Sequence, residues 1–127
     1  ALGWTIDYVK ERTAFGQPIS VFQNSKFTLA EVKTGVEVAQ AYVDQCVVKL
    51  NEGTLTAAEA AQAKYWCTEL QVKSVHECLQ LFGGAGYMDE YRISRLYADA
   101  RIGRIYAGTS EIMKEIIART LEKDLEL

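Results

Sequence analysis

Residues 29–50, LAEVKTGVEVAQAYVDQCVVKL, decide the fold. Leu29, Val32, Val36, Ala39, Val43, Cys46 and Leu50 recur at alternating steps of 3 and 4. A stripe of that period, held over three repeats, is the mark of a helix that buries one face along its whole length. The predicted helix is about 28 residues, or ~42 Å at 1.5 Å per residue. Gly53 suits the left-handed position that ends it. Upstream, Ser20-Val21-Phe22-Gln23 has the spacing of a capping box, and downstream Thr56-Ala57-Ala58-Glu59 has it again. The second box opens another helix, to about Phe82, with Ala60, Ala63, Cys67, Leu70, Ser74, Cys78 and Leu81 on one stripe. Val72, Val75, Leu79 and Phe82 form a second stripe. Two apolar faces exceed what one partner helix covers, so the surplus is expected to meet a third helix or another subunit. The short link between the two long helices makes them antiparallel neighbours.

Working outward, residues 1–14 place Leu2, Ile6, Tyr8 and Val9 at helical spacing, with Arg12 near the end, and FGQPIS (15–20) breaks the pattern. GGAGYMDE (83–90) is a glycine-rich loop. A shorter helix is predicted from about Glu90 to Arg101, with Ile93, Leu96, Tyr97 and Ala100 inward. A last helix carries Ile112, Met113, Ile116, Ile117 and Leu121. No segment alternates as a strand would. The expected fold is all-α: an antiparallel up-and-down four-helix bundle with a partial N-terminal helix, one domain over residues 1–127. Because the chain opens already in helical pattern, it is expected to be cut from something larger.

The length, 127 residues, is that of one domain able to fold without metal or disulfide. A net charge of −3 argues against a general nucleic-acid binder. No apolar run approaches the ~20 residues a membrane span needs, and no signal-peptide pattern is visible. Three cysteines, Cys46, Cys67 and Cys78, fit reduced thiols in a reducing compartment better than a disulfide framework.

His76, the single histidine, has no partners at metal-ligand spacing, so no metal is expected. The cysteines lie on apolar helical stripes and read as packing. Asp89, Glu90, Asp99 and Glu111 read as caps or solvated acids before they read as general acids and bases. Two features point further. GGAG directly behind Gln80 lets a ligand approach the backbone closely. The corner AGTSE (107–111) opens a helix whose free N–H groups and hydroxyls suit an anion. Arg92, Arg95, Arg101 and Arg104 surround that corner.

In order, YVKERTAFGQPISVFQNSKFTLAE, QLFGGAGYMDEY and DARIGRIYAGTSEIMKEIIAR resemble the C-terminal helical domain of the acyl-CoA dehydrogenases, nearest their long-chain-like and bacterial branches. The resemblance covers essentially the whole chain. It implies a flavoenzyme, with FAD held across a subunit interface, that desaturates acyl-CoA thioesters and passes electrons to an electron-transferring flavoprotein. It implies a homodimer or homotetramer, in the bacterial cytoplasm or, in a eukaryote, the mitochondrial matrix. By position, Arg12, Phe15 and Gln23 resemble residues that reach the cofactor of the neighbouring subunit. Gln80, Gly83 and Gly84 resemble the stretch lying along the cofactor. Gly108 resembles the position beside the substrate thioester, and Thr109 and Glu111 resemble cofactor-binding positions. Many relatives carry the catalytic glutamate immediately before that glycine; here the residue is Ala107. In the long-chain-like branch the base comes from an upstream helix, so no catalytic residue is expected within this chain. The alternative reading is a stand-alone, non-catalytic bundle that acts by assembly, as a partner of a separate catalytic subunit.

Overall fold

The computed structural model describes residues 1–125. Five helices follow in order: α1 (Leu2–Glu11), α2 (Gln23–Asn51), α3 (Ala57–Phe82), α4 (Arg92–Arg101) and α5 (Ser110–Asp124). Short 3-10 turns lie at Ile19–Val21, Gly83–Tyr87 and Ile102–Arg104. The all-α expectation holds, with one addition. Thr13–Ala14 (β1) and Gln17–Pro18 (β2) form a two-rung antiparallel hairpin. Its tip, Phe15-Gly16, has φ of 53° and 79°, the doubly left-handed pair that a two-residue hairpin turn requires.

Helix α3 is the centre, packed by α1, α2, α4 and α5. Its start is the capping box expected from Thr56: the Thr56 Oγ1 accepts from the Glu59 N–H at 3.2 Å, and the Glu59 carboxylate accepts from the Thr56 N–H at 2.9 Å. The antiparallel pairing of α2 and α3 shows in their contacts. Lys49 bonds Glu59, Tyr42 bonds Gln62, and Gly35 lies against Leu70, moving steadily away from the connecting turn. Helix α4 also runs against α3, with Tyr97 beside His76 and Arg104 reaching Glu69. Lys114 lies over the Tyr65 ring, one turn back along α3 from Glu69, so α5 sets off in the same sense as α4.

The core joins Val32 of α2, Val75, Cys78 and Phe82 of α3, and Ile93 and Ala100 of α4. Of the α2 stripe, Val32, Ala39 and Cys46 are buried, whereas Val36 and Leu50 are exposed. On α3 the two predicted stripes merge: Ala61, Ser74, Val75, Cys78 and Phe82 are buried and Ala60 is not. Tyr97 of α4, expected inward, is exposed, and so is Ile112 of α5. With Phe27, Val38, Val47, Val48 and Trp66 they make up the surplus apolar surface.

The capping box expected at Ser20 does not form. Pro18 holds an extended conformation and leads straight into the Ile19–Val21 turn, which takes Ser20. Helix α2 therefore starts at Gln23, behind an extended Phe22 that makes no side-chain cap. Gln23, as the first helical residue, keeps its amide out of the capping role.

Candidate functional site

The sequence-predicted residues fall into two places at opposite parts of α3. The first lies at its C-terminal end. Phe82 is followed by Gly83 at φ 59°, a left-handed turn that swings the chain into the GGAGY segment. The Tyr8 hydroxyl donates to the Phe82 carbonyl at 3.3 Å, and their rings stack at 4.1 Å, which docks the end of α1 against the end of α3. This docking brings Arg12 beside Gln80, Gly83 and Gly84 in one cleft of about 440 Å³, with Tyr8, Ile19 and Met88 also on its wall. A Cβ placed on Gly83 or Gly84 would meet nothing within 4 Å, so both backbones stand open to the cleft. Among the described residues Arg12 forms no ion pair, and its charge faces solvent.

Phe15 and Gln23 lie outside that cleft's wall. Phe15 is 95% exposed at the hairpin tip, edge-on to Phe22 at 6.2 Å. A large apolar ring held outward on a left-handed backbone is costly in water, and it points away from its own core. Gln23 is exposed at the start of α2.

The second place is the corner before α5. Ala107 has φ 52° and Gly108 φ 97°, so two successive residues are left-handed. A Cβ at Gly108 would stand 2.5 Å from the Met113 Cε, so a side chain there needs both a left-handed backbone and a shift of the methionine end. Thr109 is the N-cap of α5; its Oγ1 accepts from the Ile112 N–H at 3.3 Å. Thr109, Ser110 and Glu111 share a small recess of about 70 Å³ with Arg101, Arg104 and Ile105. Glu111 is exposed in the first turn, where the helix dipole favours its charge.

The corner is gripped from α3 by residues the sequence reading did not single out. The Lys64 ammonium donates to the Gly108 carbonyl. One carboxylate oxygen of Glu69 accepts from the Ser110 hydroxyl at 2.8 Å and from the Arg104 Nε at 2.7 Å. Burial pushes the Glu69 carboxyl up. The bonds from Ser110 and Arg104, with the charges of Arg104 and Lys114, outweigh burial and hold it below its ordinary value. Periodicity gave no signal for these contacts, because the partners lie 35 to 44 residues apart in sequence.

Gln80 lies roughly 16 Å beyond Glu69 along α3, at ~1.5 Å per residue. The two places are therefore separate in one copy. The donor set of the first suits a dinucleotide: a free guanidinium for phosphate charge, an amide, and two open glycine backbones. The second suits the anionic or hydroxylated part of a ligand at a helix N-terminus. His76 stands apart from both, beside Tyr97. Among the described residues no three His, Cys, Asp or Glu side chains gather as a metal site. No helix among them is long and apolar enough to cross a membrane.

Comparison with known proteins bears on this layout. The family profile described as "Acyl-CoA dehydrogenase, C-terminal domain" matches residues 1–122. The long-chain specific acyl-CoA dehydrogenase of Sus scrofa mitochondria is 48% identical over 120 residues, 94% of this chain and 28% of that protein. The crystal structure of an acyl-CoA dehydrogenase from Geobacillus kaustophilus superposes with a TM-score of 0.93 at 44% identity, over 95% of this chain and 32% of that one. A structure described as an FAD complex of PigA superposes with a TM-score of 0.88 at 32% identity, over 94% of this chain and 31% of that one. The chain thus spans 28% of the length of the curated relative it matches.

Proposed function

Because the chain belongs to the acyl-CoA dehydrogenase family, as its C-terminal helical domain, we propose that residues 1–127 serve as that domain in an FAD-dependent enzyme. The enzyme would place a double bond between the α and β carbons of an acyl-CoA thioester. The observation that carries this reading is the meeting of Arg12, Gln80, Gly83 and Gly84 in one cleft, although they come from two motifs far apart in sequence.

When bound, FAD supplies the hydride acceptor. The chain's own residues hold and orient it. Arg12 offsets the charge of the diphosphate, Gln80 offers both a donor and an acceptor, and the Gly83 and Gly84 backbones allow close approach. Phe15 and Gln23, outside the wall of that cleft and turned away from their own core, serve the cofactor of the neighbouring copy. Gly108 leaves room beside the thioester, while Thr109 and Glu111 hold the other part of the cofactor at the start of α5. In keeping with the resemblance, each complete site draws on two copies, the Arg12 cleft of one and the α5 corner of another, in a homodimer or homotetramer.

Proton abstraction needs a base within hydrogen-bond reach of the α-carbon. Ala107 carries none, Glu69 is engaged by Ser110 and Arg104, and Glu111 stands exposed. The base is therefore supplied from outside this chain. An electron-transferring flavoprotein is the proposed acceptor of the electrons. The unpaired cysteines fit a reducing compartment, proposed as the bacterial cytoplasm.

The test is flavin content and acyl-CoA-dependent dye reduction, measured on the full-length enzyme and on residues 1–127 alone. The full-length enzyme is expected to be yellow and active, and the 127-residue chain colourless and inactive. Turnover by the isolated chain would contradict the assignment of the base.

A further inference from the structure

The corner at residues 107–110 is an unfavourable place for a chain to stay by itself. Ala107 is left-handed without being glycine, and Gly108 follows it in the same region. Such conformations persist only where the surroundings over-determine them. The surroundings here are specific. Ser110 is 2% exposed, so its hydroxyl needs a partner, and Glu69 is the one it has. The same Glu69 oxygen takes the Arg104 Nε and fixes the approach to the corner from the α4 side. Lys64, on α3 near Glu69, takes the Gly108 carbonyl. Three points of one segment, one before the corner and two within it, are thus tied to a single stretch of α3.

We infer that Glu69 and Lys64 are positioning residues: from α3 they hold the 107–110 corner in the shape that presents Gly108 and Thr109 to the thioester and the cofactor. This rests on the function proposed above, and it goes further by placing part of the site's precision on residues 64–69 of α3, a stretch that carries none of the proposed ligand contacts. Arg104, on the wall of the recess beside Thr109, has its Nε engaged by Glu69. The side chains of Lys64 and Glu69 are partly solvated, and partly exposed ion pairs add little to global stability. Their loss is therefore expected to appear locally.

The experiment uses the full-length enzyme carrying FAD, as wild type, Glu69→Gln, Ser110→Ala and Lys64→Met, with hydrogen exchange read by mass spectrometry beside steady-state kinetics. Glu69→Gln keeps an acceptor for Ser110 but loses the charge that holds Arg104; Ser110→Ala removes the hydroxyl with little change of volume. The inference expects peptides spanning 105–113 to exchange at least about tenfold faster, while those of α2 keep their wild-type rates. It expects kcat to fall about tenfold with KM changed less than about twofold, the signature of lost orientation. The double variant Glu69→Gln/Ser110→Ala should lose less than the sum of the two single losses, because both act on one contact.

Unchanged exchange at 105–113 in both Glu69→Gln and Lys64→Met overturns the inference. Faster exchange with unchanged kcat also overturns it, since the corner would then be held without mattering to the reaction. If the wild-type enzyme shows no acyl-CoA-dependent dye reduction, the proposed function fails by itself, and the exchange data alone decide whether the two residues hold the corner.

Discussion

The two glycine-rich corners of this chain are held in opposite ways. At the end of α3, Gly83 and Gly84 have open space where a Cβ would go, and Arg12 beside them has no ion-pair partner among the described residues. At the start of α5, Gly108 is crowded by Met113, and its carbonyl and the neighbouring Ser110 are bound by Lys64 and Glu69. The first corner keeps its polar groups for something outside the chain. The second spends them on its own shape. A glycine motif in a sequence does not distinguish these cases; only the neighbours that fold brings across do.

Substitutions to alanine break this comparison most directly. The largest loss is expected at Gly86, next to the open cleft, where a Cβ would stand 2.7 Å from the Leu79 carbonyl oxygen. Overpacking against backbone should cost about 3 kcal/mol in urea unfolding of the enzyme. Gly108→Ala comes next, at about 2 kcal/mol, from its left-handed φ and the Met113 contact, which a flexible methionine partly relieves. Gly84→Ala should leave stability within about 0.5 kcal/mol of wild type and lower FAD affinity instead. If Gly84→Ala proved as destabilising as Gly86→Ala, the contrast between open and packed glycines would be gone.

Thr109→Ala sharpens the comparison at a smaller scale. It removes the N-cap of α5 and should cost about 1 kcal/mol, with Thr109→Asp restoring most of it. The smallest effect concerns the Thr56 cap, which is structural on every count and serves as the reference. Lys49 and Thr56 bonds lower the Glu59 carboxyl from 4.5 to about 2. A depressed carboxyl stabilises the fold above its unfolded value, and that contribution fades as pH falls from 4.5 toward 2. Glu59→Gln, which keeps the capping geometry, should flatten the fall of Tm across that window; an unchanged acid limb would show that the ion pair adds nothing.

The helices were legible because α2 and α3 bury a long stripe, and a stripe leaves a period that a reader can count. Val32, Ala39 and Cys46 were named from spacing alone and are buried. The capping boxes divided on one proline. Thr56 has a free approach and forms its box, whereas Pro18 commits the next residues to a turn, and Ser20 is absorbed by it. Tyr97 was misplaced because the period of α4 reports an apolar face without saying which chain covers it. Of the candidate site, Gln80, Gly83 and Gly84 were visible as a contiguous motif and Arg12 through the resemblance, but their meeting in one cleft was not read from the sequence. Lys64 and Glu69 were not visible, since a lysine and a glutamate on a helix are ordinary until the segment at 104–110 is laid across them.

The central claim is that Arg12 of one copy and Thr109 of another complete a single flavin site. Subunit mixing tests it most directly. Full-length Arg12→Glu and Thr109→Asp, the second chosen to keep its cap, are each expected to lose FAD. When the two are unfolded together and reassembled in equal amounts with FAD, half of the dimers pair one of each, and each of these regains one intact site. The account predicts that flavin content and dye reduction return to about a quarter of wild type, given random pairing of subunits. Flavin content that stays at the level of the separate variants would contradict it, because both residues would then serve a site built within one copy.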